Sequence, residues 1–347
     1  MTIQDKISVL SKLGKVLLHI GNEDQWTGFE WGITEDEYLS VQGVIGQAKL
    51  YNGWFEKREV LRAFTSWGKA LTPENLEKWI SNYEINDSSK TVGLILAGNI
   101  PLVGFHDMIS VYLSGHKSLV KLSTDDSKLI PEIIKIWSLF DVDVFENIKF
   151  TLGRMENFDA IIATGSNNTA RYFEQYFGSY PHIFRKNRTS VAVITGEETE
   201  EELILLGDDI FAYYGLGCRN ITKLYVPFGY NLDKVFGAIF PYKNVTDNNK
   251  YGNNYDYHKA IFLMEQYDVI ENGFILLKED EGLTSPIGTL YYERYDSLEE
   301  LKTKLWELEE NIQCLVSSTD IPFGKAQHPE LWDYADGVDT MEFLSSL

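Results

Sequence analysis

Cys218 stands in Gly215-Leu216-Gly217-Cys218-Arg219-Asn220, between a helix-like run and the apolar segment Ile221-Thr222-Lys223-Leu224-Tyr225-Val226. Two glycines in so short a stretch make backbone that can present a side chain instead of burying it. A thiolate held there would be a nucleophile able to take an acyl group, given backbone amides or a cation to stabilise it. The plainer alternative is a small buried hydrophobe, the usual state of a free cysteine. Arg219 is adjacent, but successive side chains point apart, so no activating role is assigned to it. Cys314, inside Gln313-Cys314-Leu315-Val316-Ser317, reads as core.

Asn99 follows an apolar run and precedes Pro101 by two residues, at what would be the carboxyl end of a strand. Open α/β sheets place ligand-contacting groups there. The Asn99 amide could donate to a developing oxyanion, or the residue could simply form an Asx turn. Lys121 lies in the apolar Ser118-Leu119-Val120-Lys121-Leu122, where a lysine is unusual unless terminal or paired; it could bind a ribose or a phosphate. Lys117, four residues earlier, reads as surface. Gly165-Ser166 sits at a strand-to-helix junction whose amides could hold an anion. No G-x-G-x-x-G and no P-loop lysine motif occurs. The six histidines show no H-E-x-x-H and no cysteine-paired metal spacing, so no metal is expected. His106 and His328 remain candidates for a general acid or an anion contact, against a structural role.

The elements that would position these residues are legible from periodicity. Ile3, Ile7, Leu10, Leu13, Val16 and Leu17 recur at helical spacing, and Thr72-Pro73-Glu74 supplies an N-cap and an N1 proline. Trp26 to Tyr51 has mixed periodicity and is left unassigned. From Lys90 the pattern changes. Thr91–Ala97, Ser118–Leu122, Asp159–Ala163 and Ser190–Ile194 read as strands covered on both faces, alternating with helices, one of them starting near Pro131. That alternation predicts a doubly wound α/β sheet. The acidic run Glu197–Glu202 reads as the solvated start of a helix leading to the Cys218 turn. Residues 242–258, rich in Asn, Tyr and Asp, read as a long surface loop. Strand-like runs follow at Gly273–Leu277 and Ile287–Tyr292, then a charged helix over Leu298–Leu308.

At 347 residues and 44% hydrophobic the chain has enough apolar content for one large or two medium domains. Its net charge of −21 excludes binding of a phosphate backbone by the whole protein, and it requires a local cation for any phosphorylated ligand. No run is long and apolar enough for a bilayer span, and Met1 is not followed by a secretory pattern. Two cysteines are too few for a disulfide framework, so a cytoplasmic, reducing compartment is expected.

Taken in order, Leu94-Ile95-Leu96-Ala97-Gly98-Asn99-Ile100-Pro101, Ser118–Ser123, Ala163-Thr164-Gly165-Ser166 and Gly217-Cys218 resemble the aldehyde dehydrogenase superfamily, and within it the LuxC-type acyl-CoA reductases. Asn52-Gly53-Trp54-Phe55 and the Trp79–Tyr83 segment resemble that family too. The resemblance implies a nucleotide-binding sheet domain with a helical front over 1–195, a smaller α/β catalytic domain over 196–320, and a segment 321–347 returning to the first domain. It implies NADPH-dependent reduction of an acyl-CoA, or an acyl-carrier thioester, to an aldehyde, with NADH a possible substitute. Cys218 would carry the acyl group, and Asn99 with the Cys218 amide would hold the oxyanion. Lys121, Ser123 and Thr124 would meet the adenosine ribose or its 2′-phosphate, and Gly165 and Ser166 the pyrophosphate. It further implies a homo-oligomer and a partner acyl-transfer or synthetase subunit.

Three departures from the superfamily pattern bear on direction. The region of the water-activating glutamate reads Arg188-Thr189-Ser190-Val191-Ala192, without one, which favours reduction over hydrolysis of a thioester. Thr124 replaces the acidic residue of the K-P-S-E stretch, which removes a repulsion against a 2′-phosphate. The E-I-F-G-P segment is reduced to Thr284-Ser285-Pro286-Ile287-Gly288. Oxidation of aldehydes and a non-catalytic binding role for the same fold are the competing expectations.

Overall fold

The apolar run beginning at Thr91 becomes the central strand of a parallel sheet, as residues that must be covered on both faces require. In a computed structural model describing residues 1–85 and 88–347, the chain divides into two compact units. The first is Met1–Lys186 with Glu330–Leu347, the second Asn187–Pro329.

The first unit opens with helices α1 (Ile3–Gly21), α2 (Glu35–Tyr51), α3 (Lys57–Ala70) and α4 (Pro73–Ile80). A capping box between Thr2 and Asp5 starts α1, and its predicted apolar face is buried from Ile7 to Ile20. Gly14 and Gly21 of α1 and Gly68 of α3 let these two helices meet closely. A Cβ at Gly68 would lie 2.6 Å from Leu18, and one at Gly14 2.7 Å from Leu71. The unassigned stretch before Tyr51 contains α2, which begins with a second capping box, Thr34 with Glu37.

Then come β1 (Thr91–Ile95), α5 (Phe105–Leu113), β2 (Lys117–Lys121), α6 (Leu129–Ser138), α7 (Val144–Asn147), β3 (Ile148–Phe150), β4 (Ala160–Thr164), α8 (Asn167–Phe177) and β5 (His182–Arg185). All strands pair in parallel in the order β3-β2-β1-β4-β5. The chain winds outward from β1 through β2 to β3, then returns to β4 on the other side. That reversal puts a topological switch at the carboxyl ends of β1 and β4. The edge strands β3 and β5 are absent from the sequence expectations, since three or four residues with mixed burial give little periodicity.

The second unit runs β6 (Thr189–Val193), α9 (Glu200–Phe211), β7 (Ile221–Pro227), α10 (Asp233–Ile239), α11 (Asn249–Met264), β8 (Val269–Glu271), β9 (Leu276–Glu279), β10 (Thr289–Tyr295), α12 (Leu298–Glu307) and β11 (Ile312–Val316). Its sheet order is β11-β6-β7-β10-β9-β8, parallel except for β8 against β9. Val191, Val193, Tyr225, Leu301 and Leu305 pack α12 onto one face. The surface loop expected over 242–258 is wrong. Those residues form a 3₁₀ turn and then α11, capped by the Asn248 side chain on the amides of Lys250 and Tyr251, with Tyr251, Tyr255 and Phe262 buried. A last helix, α13 (Thr340–Ser345), belongs to the first unit, where the Arg185 guanidinium donates to Thr340 Oγ1 and to Asp107.

Candidate active site

In the second unit, α9 ends at Phe211 and the chain reverses through three consecutive left-handed residues: Tyr213 (φ 51°), Tyr214 (φ 58°) and Gly215 (φ 79°). Left-handed backbone costs a residue with a Cβ about 1–2 kcal/mol. Two buried tyrosines held there mark strain that the surroundings must maintain. The reversal carries the chain to Cys218, whose side chain is exposed at the amino end of β7.

Asn220 holds this turn. Fully buried, it donates through Nδ2 to the carbonyls of Asp209 (3.1 Å), Ile210 (3.2 Å) and Ala212 (2.8 Å), and its Oδ1 accepts from the Gly217 amide at 2.8 Å. One carboxamide thus satisfies carbonyls left open where α9 ends and fastens the turn to them. Ser190 on β6 donates to the Cys218 carbonyl at 2.9 Å. Arg219 sends Nη1 to Cys314 Sγ (3.2 Å) and the Ala326 carbonyl (3.4 Å), and Cys314 is buried, as its apolar setting predicts. Below the turn, the Asp209 carboxylate accepts from the amides of Gly324 (2.7 Å) and Ala326 (3.0 Å). Burial raises its pKa to about 7 against the pull of those amides, and Asp208 adds to the rise.

Thr284–Gly288 immediately precedes β10. Ser285 to Gly288 line a cavity of about 30 Å³ together with Tyr214, Gly215, Thr222 and Thr289. The segment flagged by resemblance therefore meets the Cys218 turn at the amino ends of β7 and β10. Gly288 has no room for a side chain, since a Cβ would stand 2.9 Å from the Tyr255 backbone, and its φ is +81°. Neither β5 (His182–Arg185) nor β6 (Thr189–Val193) carries an acidic residue. Downstream of β6, the Glu198 carboxylate accepts from Thr195 and from the Gly196 amide.

In the first unit, Asn99 is exposed on the loop after β1. Gly98 packs so closely on the next loop that a Cβ would lie 2.7 Å from Ser123. Leu102, left-handed at φ 61°, donates its amide to the buried Asp126 carboxylate at 2.9 Å. Burial raises the Asp126 pKa to about 6, opposed by the Leu102 and Leu129 amides. Asn52, in the flagged Asn52-Gly53-Trp54 stretch, donates to the Asp125 carbonyl at 3.3 Å and accepts from the Trp54 amide. The Asn99 loop and the loop carrying Ser123 and Thr124 are thus brought together, at the carboxyl ends of β1 and β2.

Lys121 ends β2 half-buried, its Nζ on the Gly153 carbonyl at 3.1 Å, while Thr124 is exposed. Ser123 Oγ accepts from the Asp125 amide. Across the switch, Gly165 allows α8 to start tightly after β4, a Cβ there meeting Thr169 and Phe173 at 3.0 Å. Ser166 caps α8, its Oγ accepting from the Thr169 amide. His106 Nε2 donates to the Leu331 carbonyl at 2.8 Å, and the ring packs among Trp67, Trp79 and Tyr334, which is a structural role. His328 is exposed, three residues beyond Lys325. Asp126, Asp209 and Asn220 were not singled out by the sequence. An acid three residues after Leu206, on the apolar face of a predicted helix, was the available signal for Asp209. Among the described residues no group of His, Cys, Asp and Glu could hold a metal ion, and no helix is long and apolar enough to cross a membrane.

No family model matches the sequence, and no curated relative matches it either. Solved structures do. Aldehyde dehydrogenase 21 from Physcomitrella patens, solved with succinate as reaction product, aligns over 100% of this chain and 84% of its own, at TM-score 0.64 and 11% identity. The indole-3-acetaldehyde dehydrogenase AldA of P. syringae, with NAD⁺ and IAA, aligns over 98% and 78%, at TM-score 0.65 and 11% identity. A Mycobacterium tuberculosis aldehyde dehydrogenase complexed with NAD⁺ aligns over 94% and 75%, at TM-score 0.61 and 14% identity. The fold is that of the aldehyde dehydrogenases. Within this aldehyde dehydrogenase fold, the parallel sheet of the first unit carries Asn99, Lys121, Ser123, Thr124, Gly165 and Ser166, and the mixed sheet of the second carries Cys218.

Proposed function

We propose that the chain reduces an acyl thioester, of CoA or an acyl carrier, to an aldehyde with NADPH, through an acyl group carried on Cys218. One observation carries the reading: an exposed cysteine on a strained, internally braced turn, in a fold whose β5 and β6 offer no carboxylate to activate water. The donor set of the first unit fits a dinucleotide. It provides a cation at a strand end (Lys121), hydroxyls at Ser123 and Thr124, and a serine-capped helix start at the topological switch. Thr124 is uncharged where an acid would repel a 2′-phosphate, although Asp125 places a carboxylate next to it. When bound, the reduced nicotinamide supplies the hydride.

In this reading the Cys218 thiolate adds to the thioester carbonyl, and the Asn99 carboxamide and the Cys218 amide donate to the resulting oxyanion. The bond to the leaving sulfur breaks, the released thiol takes up a proton, and an acyl-cysteine remains. After reduction, the Cys218 sulfur leaves the tetrahedral carbon as the carbonyl re-forms, which frees aldehyde and restores the thiolate. The balance is thioester, NADPH and one proton to aldehyde, NADP⁺ and thiol. A partner that makes or transfers the acyl group belongs to the same proposal.

The test is incubation with acyl-CoAs of graded chain length, with intact mass and NADPH absorbance as readouts. An acyl adduct lost in Cys218→Ala, together with NADPH oxidation, is expected. A folded protein that gives neither at any chain length overturns the reading. Aldehyde-dependent reduction of NAD⁺ without CoA would instead favour the oxidative direction, the activity named for the structural neighbours.

A further inference from the structure

Beneath the Cys218 turn lies a network that no step above uses. Asp209, in the last turn of α9, is fully buried, and its two carboxylate oxygens accept from the amides of Gly324 and Ala326. Its own carbonyl accepts from Asn220, which also holds the Gly217 amide. The Ala326 carbonyl in turn accepts from Arg219, the residue next to Cys218. The Cys218 turn is therefore fastened twice to Asp209, once through Asn220 and once through the 324–326 segment and Arg219. Gly324, left-handed at φ 77°, packs against Leu205 of the same helix and fixes the segment that presents both amides.

We propose that Asp209 is a positioning residue for Cys218, whose ionised carboxylate holds the 324–326 segment and with it the turn that presents the thiol. The proposal rests on the reading of Cys218 as nucleophile. Charge-assisted bonds to backbone amides are roughly twice as strong as neutral ones, so the clamp is tightest when Asp209 is ionised. Its pKa of about 7 places the loss of that charge close to neutrality. The groups around it are consistent with a single titration. Asp208 on its own helix raises its pKa. From the turn, Arg219 is directed at Cys314 Sγ and Ala326. From the third element, Lys325 is exposed.

The test follows alkylation of Cys218 by iodoacetamide from pH 5.5 to 9, with peptide mass separating it from Cys314. Below its own pKa a thiol reacts with a slope of one in log rate against pH. Wild type should be steeper than one, by up to about half a unit of slope, just below about pH 7, where Asp209 also takes a proton. Asp209→Asn should remove the break and lower the rate at pH 8 about tenfold. Asp208→Asn leaves the buried site in place and should move the break to lower pH. It carries the test if Asp209→Asn does not fold. A wild-type slope of one throughout, or an unmoved break in folded Asp208→Asn, overturns the proposal, as does a wild-type profile in Asp209→Asn. Thioester turnover is read separately. A profile that behaves as expected in a protein inert towards every acyl-CoA sinks the reductase reading and leaves the positioning role of Asp209 standing.

Discussion

The two units present their candidate residues from opposite ends of parallel strands. In the first, Asn99, Lys121 and Gly165-Ser166 follow the carboxyl ends of β1, β2 and β4, at a topological switch. In the second, Cys218 precedes the amino end of β7, reached from the carboxyl end of a helix through three left-handed residues. The first arrangement comes with the winding of the sheet, so its loops need only modest bracing, spread over Asn52, Gly98 and Asp126. The second has helix carbonyls and strained backbone to satisfy, and it concentrates that task in the buried side chain of Asn220. Sites at a switch point are cheap to build from backbone. A thiol at the wrong end of a strand depends on particular side chains.

The sharpest way to break that contrast is to remove the two braces separately. Asn220→Ala leaves buried carbonyls and the Gly217 amide without partners, each worth about 1–3 kcal/mol. Urea unfolding should show a loss of at least about 3 kcal/mol, with Cys218 alkylation slowed in whatever folds. Asn52→Ala, on the first unit, should cost no more than about 1–2 kcal/mol. Equal losses in the two variants would dissolve the distinction.

How far the sequence speaks follows the same division. The switch-point strands β1, β2 and β4 and the Cys218 turn are legible because apolar runs and glycines mark them. The braces are harder to read, because Asp126 and Asn220 look like surface or turn residues until the tertiary structure buries them, and Asp209 shows only as an acid on the apolar face of a helix. Two lysines make the point. Lys121 invites attention as a cation in an apolar strand, yet it ends β2 and is only half-buried. Lys223 stands in an equally apolar strand and is fully buried, its Nζ on Glu293 at 2.6 Å and on the Glu281 carbonyl at 2.9 Å. Position within the sheet decides, and a single strand's pattern does not contain it. The helix over Asn249–Met264 is hidden for a related reason. Its Asn, Tyr and Asp content resembles a loop, and the apolar contacts that stabilise it come from Tyr251, Tyr255 and Phe262, spread among polar neighbours.

Chemistry and bracing can be separated next. Asn99→Ala should lower kcat for an acyl-CoA by about 10²–10³, the effect of losing one oxyanion donor, while the Cys218 alkylation rate stays at wild type. A fall in alkylation of the same size would make Asn99 a structural residue of the Asx-turn kind. Asp126→Asn should act on stability instead. Asp126 has a folded pKa of about 6 against an ordinary value of 3.8, so between those values the folded state holds the extra proton. Stability contributed by this group therefore falls as pH rises from about 4 to 6 and stays reduced above it. The asparagine can still accept from Leu102, so at pH 8 it should be more stable than wild type by on the order of 1–3 kcal/mol. The difference should vanish near pH 4. Thermal unfolding at both pH values reads this directly, and a variant less stable at pH 8 would show that the ionised carboxylate is what the Asn99 loop needs.

The smallest expected effect tests the cofactor end of the first unit. Lys121 offers its ammonium at the end of β2, with the Gly153 carbonyl as its partner in the structure. A half-buried cation bound to a phosphate contributes roughly 1–2 kcal/mol, so Lys121→Ala should raise the KM for NADPH about tenfold. kcat should be unaffected, since the residue lies at the adenosine end in the proposed assignment. NADH, which lacks the 2′-phosphate, should be affected less. Asp125→Asn should move preference the other way, towards NADPH, by removing a carboxylate beside Thr124. If Lys121→Ala weakens both cofactors equally, the ammonium meets the ribose and the case for NADPH over NADH loses its cation. That outcome would leave Thr124 as its only support, and a missing repulsion is not an attraction.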